Sequence, residues 1–312
     1  MTSTRTRPPE SPFFRLVEAA EGTWAATAAD FVAAVGNAAV LDLGGRWLVV
    51  DTFMSARAGA DLRSAVTALA GDEPVWVVNT HCHTDHVGGN EVFAPVARIA
   101  ATDATRRCVL ESAAELPNRI RAAEAALAAA PAGADAESSR VRGEAQGRLE
   151  SLRRLHFVAP DATIGDRLTL YGSRRRAELI SVAHAHTRGD LVVNLPDERT
   201  LLSGDVVVTR VLPFVHDGDA ESWLGVLGTL RGLGAATVLP GHGEVGDGSA
   251  LQEMESILRA MLAAALEAVA EPASPAAPIP TAFADWRGAA RWNEVVGQVA
   301  AQLRTSGATA ED

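Results

Sequence analysis

The 312-residue chain is 47% hydrophobic and 21% charged, which is enough apolar material for a large core in one or two domains. Its net charge of −11 argues against nucleic acid or an anionic membrane surface as a partner. All 28 basic residues are Arg, so no mechanism or substrate clamp can rest on a lysine ammonium.

Residues 1–11 are polar, with Arg and Pro, and read as a disordered lead. They lack the apolar core of roughly 7–15 residues that a signal peptide needs. No run of about 18 uninterrupted apolar residues follows, so a soluble cytoplasmic protein is expected. The runs Ala39–Leu43 and Arg46–Val50, separated by Gly44-Gly45, predict a β-hairpin. Residues 59–70 read as a helix, and the β-branched run from Pro74 to Asn79 reads as a buried strand. From Thr102 to about Leu155 the chain is rich in Ala, Glu and Arg, and predicts two helices that form an insertion at 103–155, with Pro117 a possible kink. Strands return at 167–171, 177–183, 191–195 and 200–202. Then come an amphipathic helix at 221–233, a strand at 236–239 and a long helix at 249–270. A Pro/Ala linker leads to a last amphipathic helix at 283–304, so 271–312 is expected to pack as an appendage on a catalytic domain spanning 12–270.

The chemistry concentrates in His81-Cys82-His83-Thr84-Asp85-His86, immediately after the strand ending at Asn79. Ligand sites in α/β proteins gather at such strand ends. Imidazole nitrogens and carboxylate oxygens suit Zn²⁺ at roughly 2.0–2.2 Å. Residues two apart in an extended segment point the same way, so His81 and His83 can converge on one ion, while Asp85 and His86 lie past the bend and can face another. Gly88-Gly89 supplies the freedom for a tight turn. Cys82 alternates away from both histidines and is expected to pack inward. With only Cys82 and Cys108 present, and one of them inside this motif, reduced thiols are expected.

The run H-x-H-x-D-H resembles the signature of the metallo-β-lactamase superfamily. Further motifs resemble that family in order: Asp51 after the strand 48–50, His186-Thr187-Arg188-Gly189-Asp190, Ser203-Gly204-Asp205, and Pro240-Gly241-His242-Gly243. The resemblance implies an α/β fold, a four-layer αββα sandwich with the helical insertion and C-terminal helices added. It implies two Zn²⁺ per chain, one held by His81, His83 and His186 and the other by Asp85, His86 and His242, with Asp205 bridging and Asp51 bracing the loop. His184 sits two residues before His186 and is left either near the pocket or as a polar residue at a strand end. His216 follows the Asp205 strand, where the superfamily touches substrate, although a solvated loop histidine is the plainer reading.

The implied activity is hydrolysis of an ester, thioester, lactone or related acyl bond by a water that the two ions acidify from 15.7 towards ~7. Asp85 would be the catalytic carboxylate, orienting the nucleophile and passing a proton to the leaving group. The substrate would be a small-molecule or carrier-bound acyl compound, and a homodimer is possible. The stretch 177–216 also resembles thioesterase and polyketide-cyclase members, and a single-iron persulfide dioxygenase is a further alternative on the same scaffold.

Overall fold

The computed structural model describes residues 6–308 except 30, 132, 134, 183 and 272–276. The start of the expected lead, at 1–5, and most of the Pro/Ala linker therefore lie outside the described residues.

The expected hairpin is present. Strand β3 (Ala38–Asp42) turns through Gly44 and Gly45, both at positive φ, into β4 (Trp47–Val50), with Asp42 opposite Trp47. Along β4 the side chains alternate between two cores: Trp47 and Val49 face one, and Leu48 and Val50 face the other. Strands β1 (Phe14–Ala20) and β2 (Thr23–Ala28) precede this hairpin, and β5 (Val75–Val78), β6 (Arg98–Thr102) and β7 (Ala162–Ile164) extend it, giving a seven-stranded sheet in chain order. Strands β4 to β7 run parallel, so their C-terminal ends share one edge.

A second sheet has six strands. It contains β8 (Arg167–Tyr171), β9 (Arg176–Ser181), β10 (Leu191–Leu195), β11 (Thr200–Val208), β12 (Thr237–His242) and β13 (Gly246–Asp247), side by side in that order. Leu41, Leu48, Val50 and Val78 of the first sheet meet Leu179, Leu191, Val193 and Leu202 of the second in the central core. Helix α1 (Ala56–Ala70) covers the outer face of the first sheet through Ala58, Leu62, Val66 and Leu69. The outer face of the second is covered by α6 (Ala220–Arg231), α7 (Ser249–Ala270) and α8 (Trp292–Ala308), with Trp223, Met254, Ile257 and Val296 inside. Four layers, αββα, result.

The insertion is α4 (Asp103–Ala129), which runs on through Pro117, and α5 (Ala136–Arg153); the two pack on each other through Ala123, Leu149 and Leu152. Between β5 and the insertion lie the single turns α2 (Thr84–Val87) and α3 (Asn90–Phe93).

Several expectations change. Residues 6–11 are not a free lead: the Thr6 amide donates to the Ala68 carbonyl, and the Ser11 hydroxyl reaches Asp61 at 2.7 Å. The last helix starts at Trp292 rather than 283, after two 3₁₀ turns at Thr281–Phe283 and Ala289–Arg291. Strands β6 and β7 carry alanines that give no periodic signal on their own; pairing between buried parallel neighbours makes them strands.

The cysteines overturn a further expectation. Cys82 and Cys108 form a disulfide, with Cα atoms 6.0 Å apart. Because the Cys82 side chain points away from His81 and His83, the bond sits behind the histidine loop against Val87, Val109 and Phe157 and leaves the imidazoles undisturbed. Disulfides belong to oxidising compartments, so the cysteines no longer support a cytoplasmic location. No helix among the described residues is long and apolar enough to cross a membrane.

Candidate metal centre

The parallel strand ends deliver the functional side chains to one edge. Asp51 follows β4 and takes a positive φ of 62°, while the histidine loop follows β5. His83 is extended (φ −63°, ψ 144°) and caps α2, so Asp85 and His86 project from the first helical turn. The second sheet supplies Asp205 from within β11, His242 as the last residue of β12, and His186 from the loop between β9 and β10.

Hydrogen bonds behind the imidazoles fix which nitrogen faces inward. The Thr80 hydroxyl donates to Asp51 at 2.7 Å, so its oxygen accepts from His81 Nδ1 at 3.0 Å. His86 Nδ1 donates to Asp51 Oδ2 at 2.9 Å, and His186 Nδ1 donates to the Phe214 carbonyl at 2.9 Å. For all three residues Nε2 is turned to the centre. His83 is reversed: its Nε2 donates to Asp217 Oδ2 at 2.9 Å, leaving Nδ1 facing inward only 2.9 Å from His186 Nε2. Two imidazole lone pairs at that separation repel unless a cation or a proton lies with them.

Asp205 joins the two halves. Its Oδ1 lies 3.3 Å from His86 Nε2, and its Oδ2 lies 3.4 Å from His186 Nε2 and 3.2 Å from His242 Nε2. Asp85 Oδ2 is 3.2 Å from His242 Nε2. Gly241 packs so closely on Asp205 that any Cβ there would collide with the carboxylate. Ligand-type atoms thus form two groups, His81, His83, His186 and Asp205, then Asp85, His86 and His242, with the atoms of each group within 4.8 Å of one another.

Electrostatics favour cations here. Burial raises the Asp51 carboxyl and would raise Asp85 and Asp205 too, but the surrounding histidines hold Asp85 and Asp205 below the usual carboxylate range. Burial lowers the pKa of His86 and His242, yet Asp205 and Asp85 outweigh it, pushing His86 well up and His242 to about 9. Burial dominates at the other histidines: His186 falls to about 4 and His81 lies well below its ordinary value. The buried His81 Nε2, His86 Nε2 and Asp205 Oδ1 have no hydrogen-bond partner. Buried polar atoms without a partner are costly. Inward-facing imidazole and carboxylate donors of this type fit divalent ions.

The site opens into a cavity of about 580 Å³. Its polar floor includes His83, Asp85, His186, Asp205 and His242, and its walls include Phe31, Val35, Met54, Leu212 and Phe214, with Asp217 and Arg287 at the lining. Among the described residues, the insertion contributes none to the lining. Seven residues anticipated as ligands therefore meet, and Asp51 stands behind them. His184 does not: it takes φ 63° and is exposed, whereas His186 is buried. His216 is also exposed and touches only the edge of the site, its ring 5.9 Å from Phe214. Asp217 and Arg287 carry no sequence signal of their own; Asp217 differs in no visible way from Asp219, which merely caps α6.

A family model described as the metallo-beta-lactamase superfamily matches residues 33–242. A curated relative, a linear primary-alkylsulfatase from Pseudomonas sp. (strain ATCC 19151), is 25% identical over 201 residues, which is 60% of this chain. The match spans 37% of that relative's length, so it covers well under half of it. Among solved structures, the DIM-1 metallo-beta-lactamase is similar with a TM-score of 0.59 and 20% identity, covering 81% of this chain and 99% of that one. A metallo-beta-lactamase from Pontibacter korlensis gives 0.57 and 20%, covering 79% and 99%. At these identities the structural likeness speaks for the fold alone.

Proposed function

Because the chain belongs to the metallo-beta-lactamase superfamily, we propose that it is a two-zinc hydrolase that cleaves an ester, thioester, lactone or related acyl bond. His81, His83 and His186 would hold one ion and Asp85, His86 and His242 the other, with Asp205 shared. The carrying observation is the facing pair of inward nitrogens, His83 Nδ1 and His186 Nε2, 2.9 Å apart, beside buried polar atoms that have no hydrogen-bond partner. The complete second group favours two ions over the single iron of a dioxygenase.

When bound, the ions would supply Lewis-acid polarisation of a substrate oxygen and acidification of a water. The protein's own residues hold the rest of the reaction in place. Asp51, Thr80, the Phe214 carbonyl and Asp217 fix the imidazoles, so no reorganisation is needed as charge develops. Asp85 stays ionised beside His86 and His242, lines the cavity, and can accept a hydrogen bond that orients the attacking water. The apolar walls match an apolar acyl body.

A second reading, cleavage of an alkyl sulfate ester, draws support from the alkylsulfatase relative and the same apolar walls. The experiment is metal analysis with turnover of a panel: a short-chain thioester, a lactone, a carrier-linked thioester and decyl sulfate. Two zinc ions per chain with acyl turnover is the expected result. Sulfate release alone would move the assignment to the second reading, and a metal-free, inert protein would end both. His83→Ala should lose bound metal and at least about 100-fold in activity; full activity in that variant would overturn the ligand assignment.

A further inference from the structure

The loop between β11 and α6 orients both members of the facing nitrogen pair. Its Phe214 carbonyl accepts from His186 Nδ1, and its Asp217 carboxylate accepts from His83 Nε2. A side chain from the far end of the chain holds this loop in turn. Gln302, on α8, aims its Nε2 at three of the loop's carbonyls, 3.1 Å from Val215, 3.3 Å from His216 and 3.1 Å from Gly218. Acceptors on every side require the NH₂ end of the amide at that point, and its two protons are shared along the backbone on both sides of Asp217. At its end the same loop is tied to the residue before His186, because the Asp219 amide donates to the Ala185 carbonyl at 3.0 Å.

Gln302 also interrupts the pattern of its own helix. Positions 295, 299 and 302 fall at i, i+4 and i+7, one stripe of a helix, and Val295, Val296, Val299 and Ala300 on that side are buried in the outer core. An aliphatic residue would continue the stripe, whereas the amide, half-buried, forgoes apolar burial to meet the three carbonyls. Helix α8 lies outside the segment 33–242 that the family model matches. His81 and His86 are oriented instead from the side of the first sheet, by Thr80 and Asp51. We propose that Gln302 is a positioning residue for the ion of the His81, His83 and His186 group. By holding the 213–219 loop it fixes the Phe214 carbonyl and Asp217, and through them the rings of His186 and His83. The C-terminal helix is therefore part of the support of the metal centre and not only cover for the second sheet. This rests on the two-ion reading, so the test reads zinc binding and folding separately.

Zinc affinity is measured on the full chain by competition with a chelating dye, in a His242→Ala background that leaves the His81, His83 and His186 group complete. Gln302→Leu should weaken binding roughly fivefold. The nearly isosteric Gln302→Glu, which sets a carboxylate against three carbonyls, should weaken it further. Gln298→Leu, one helical turn earlier with its amide turned to Glu294, should leave it unchanged. Because Leu continues the apolar stripe, the melting temperature of the zinc-free Gln302→Leu chain should hold. In an Asp217→Ala background, where the support of His83 is already cut, Gln302→Leu should cost less than it does with Asp217 present. Unchanged zinc affinity in both Gln302 variants overturns the proposal. So does a loss that adds in full to that of Asp217→Ala, or one accompanied by a fall in the zinc-free melting temperature, since either marks a merely structural role. A wild-type chain that binds no zinc ends the two-ion reading and this inference together, whereas tight zinc binding that ignores Gln302 ends this inference alone.

Discussion

His83 differs from the other histidines in using Nδ1 inward, and it can do so because Asp217 takes its Nε2 proton. Removing that carboxylate frees the ring to change tautomer and rotate. Asp217→Ala should therefore lower zinc affinity by roughly 10- to 100-fold, measured by competition with a chelating dye, while His216→Ala, next door and exposed, should leave it unchanged. The histidines also differ in how they respond to pH. Before an ion binds, His242, at about 9, and His86, also raised, carry protons at neutral pH that a metal must displace. His186, at about 4, and His81, well lowered, carry none. Protons compete harder as pH falls, so the ion of the Asp85, His86 and His242 group should weaken first between pH 9 and 6, with protons released on binding. Zinc titrations at pH 8 and pH 6 in weak buffer check this; equal weakening of both ions would contradict it.

Among the elements, the histidine loop is held at two places. Asp51 accepts from the Thr80 amide at 2.8 Å and braces His86, and the disulfide ties the loop to α4. The bond closes a loop between residues 26 apart in sequence, so its loss in Cys108→Ser should cost about 3 kcal/mol through unfolded-state entropy. Urea unfolding of that variant should show the loss with zinc content unchanged, because Asp51 and Thr80 still orient the ligands. An unchanged midpoint would mean that the bond does not persist in the isolated protein. The loop between β11 and α6 has a comparable role, since it supplies both the Phe214 carbonyl and Asp217 to orient two of the histidines.

For the whole molecule, the two sheets do more than share a core. The first brings Asp51, His81, His83, Asp85 and His86, and the second brings His186, Asp205 and His242, so the centre forms only when the layers are packed. Asp85 and Asp205 are then buried near one another, a repulsion that bound cations would relieve. Stripping the metal with EDTA should lower the melting temperature, and readding zinc at about 1,000 times its Kd should restore about 4 kcal/mol. Calorimetric melting with and without chelator measures it, and an unmoved transition would place the ions outside the folding equilibrium.

By itself the sequence made legible the histidine and aspartate motifs, the hairpin at Gly44-Gly45 and the long helices, because ligand chemistry, alternation and glycine turns are properties of a few adjacent residues. Strands β6 and β7, whose alanines carry no period, became visible only through their neighbours. The partner of His83 lies 134 residues away in Asp217, the partner of Cys82 lies in the insertion, and Phe31 and Arg287 meet from opposite ends of the chain. Contacts at such separations depend on how the layers pack and in what register, and only the tertiary structure decides that.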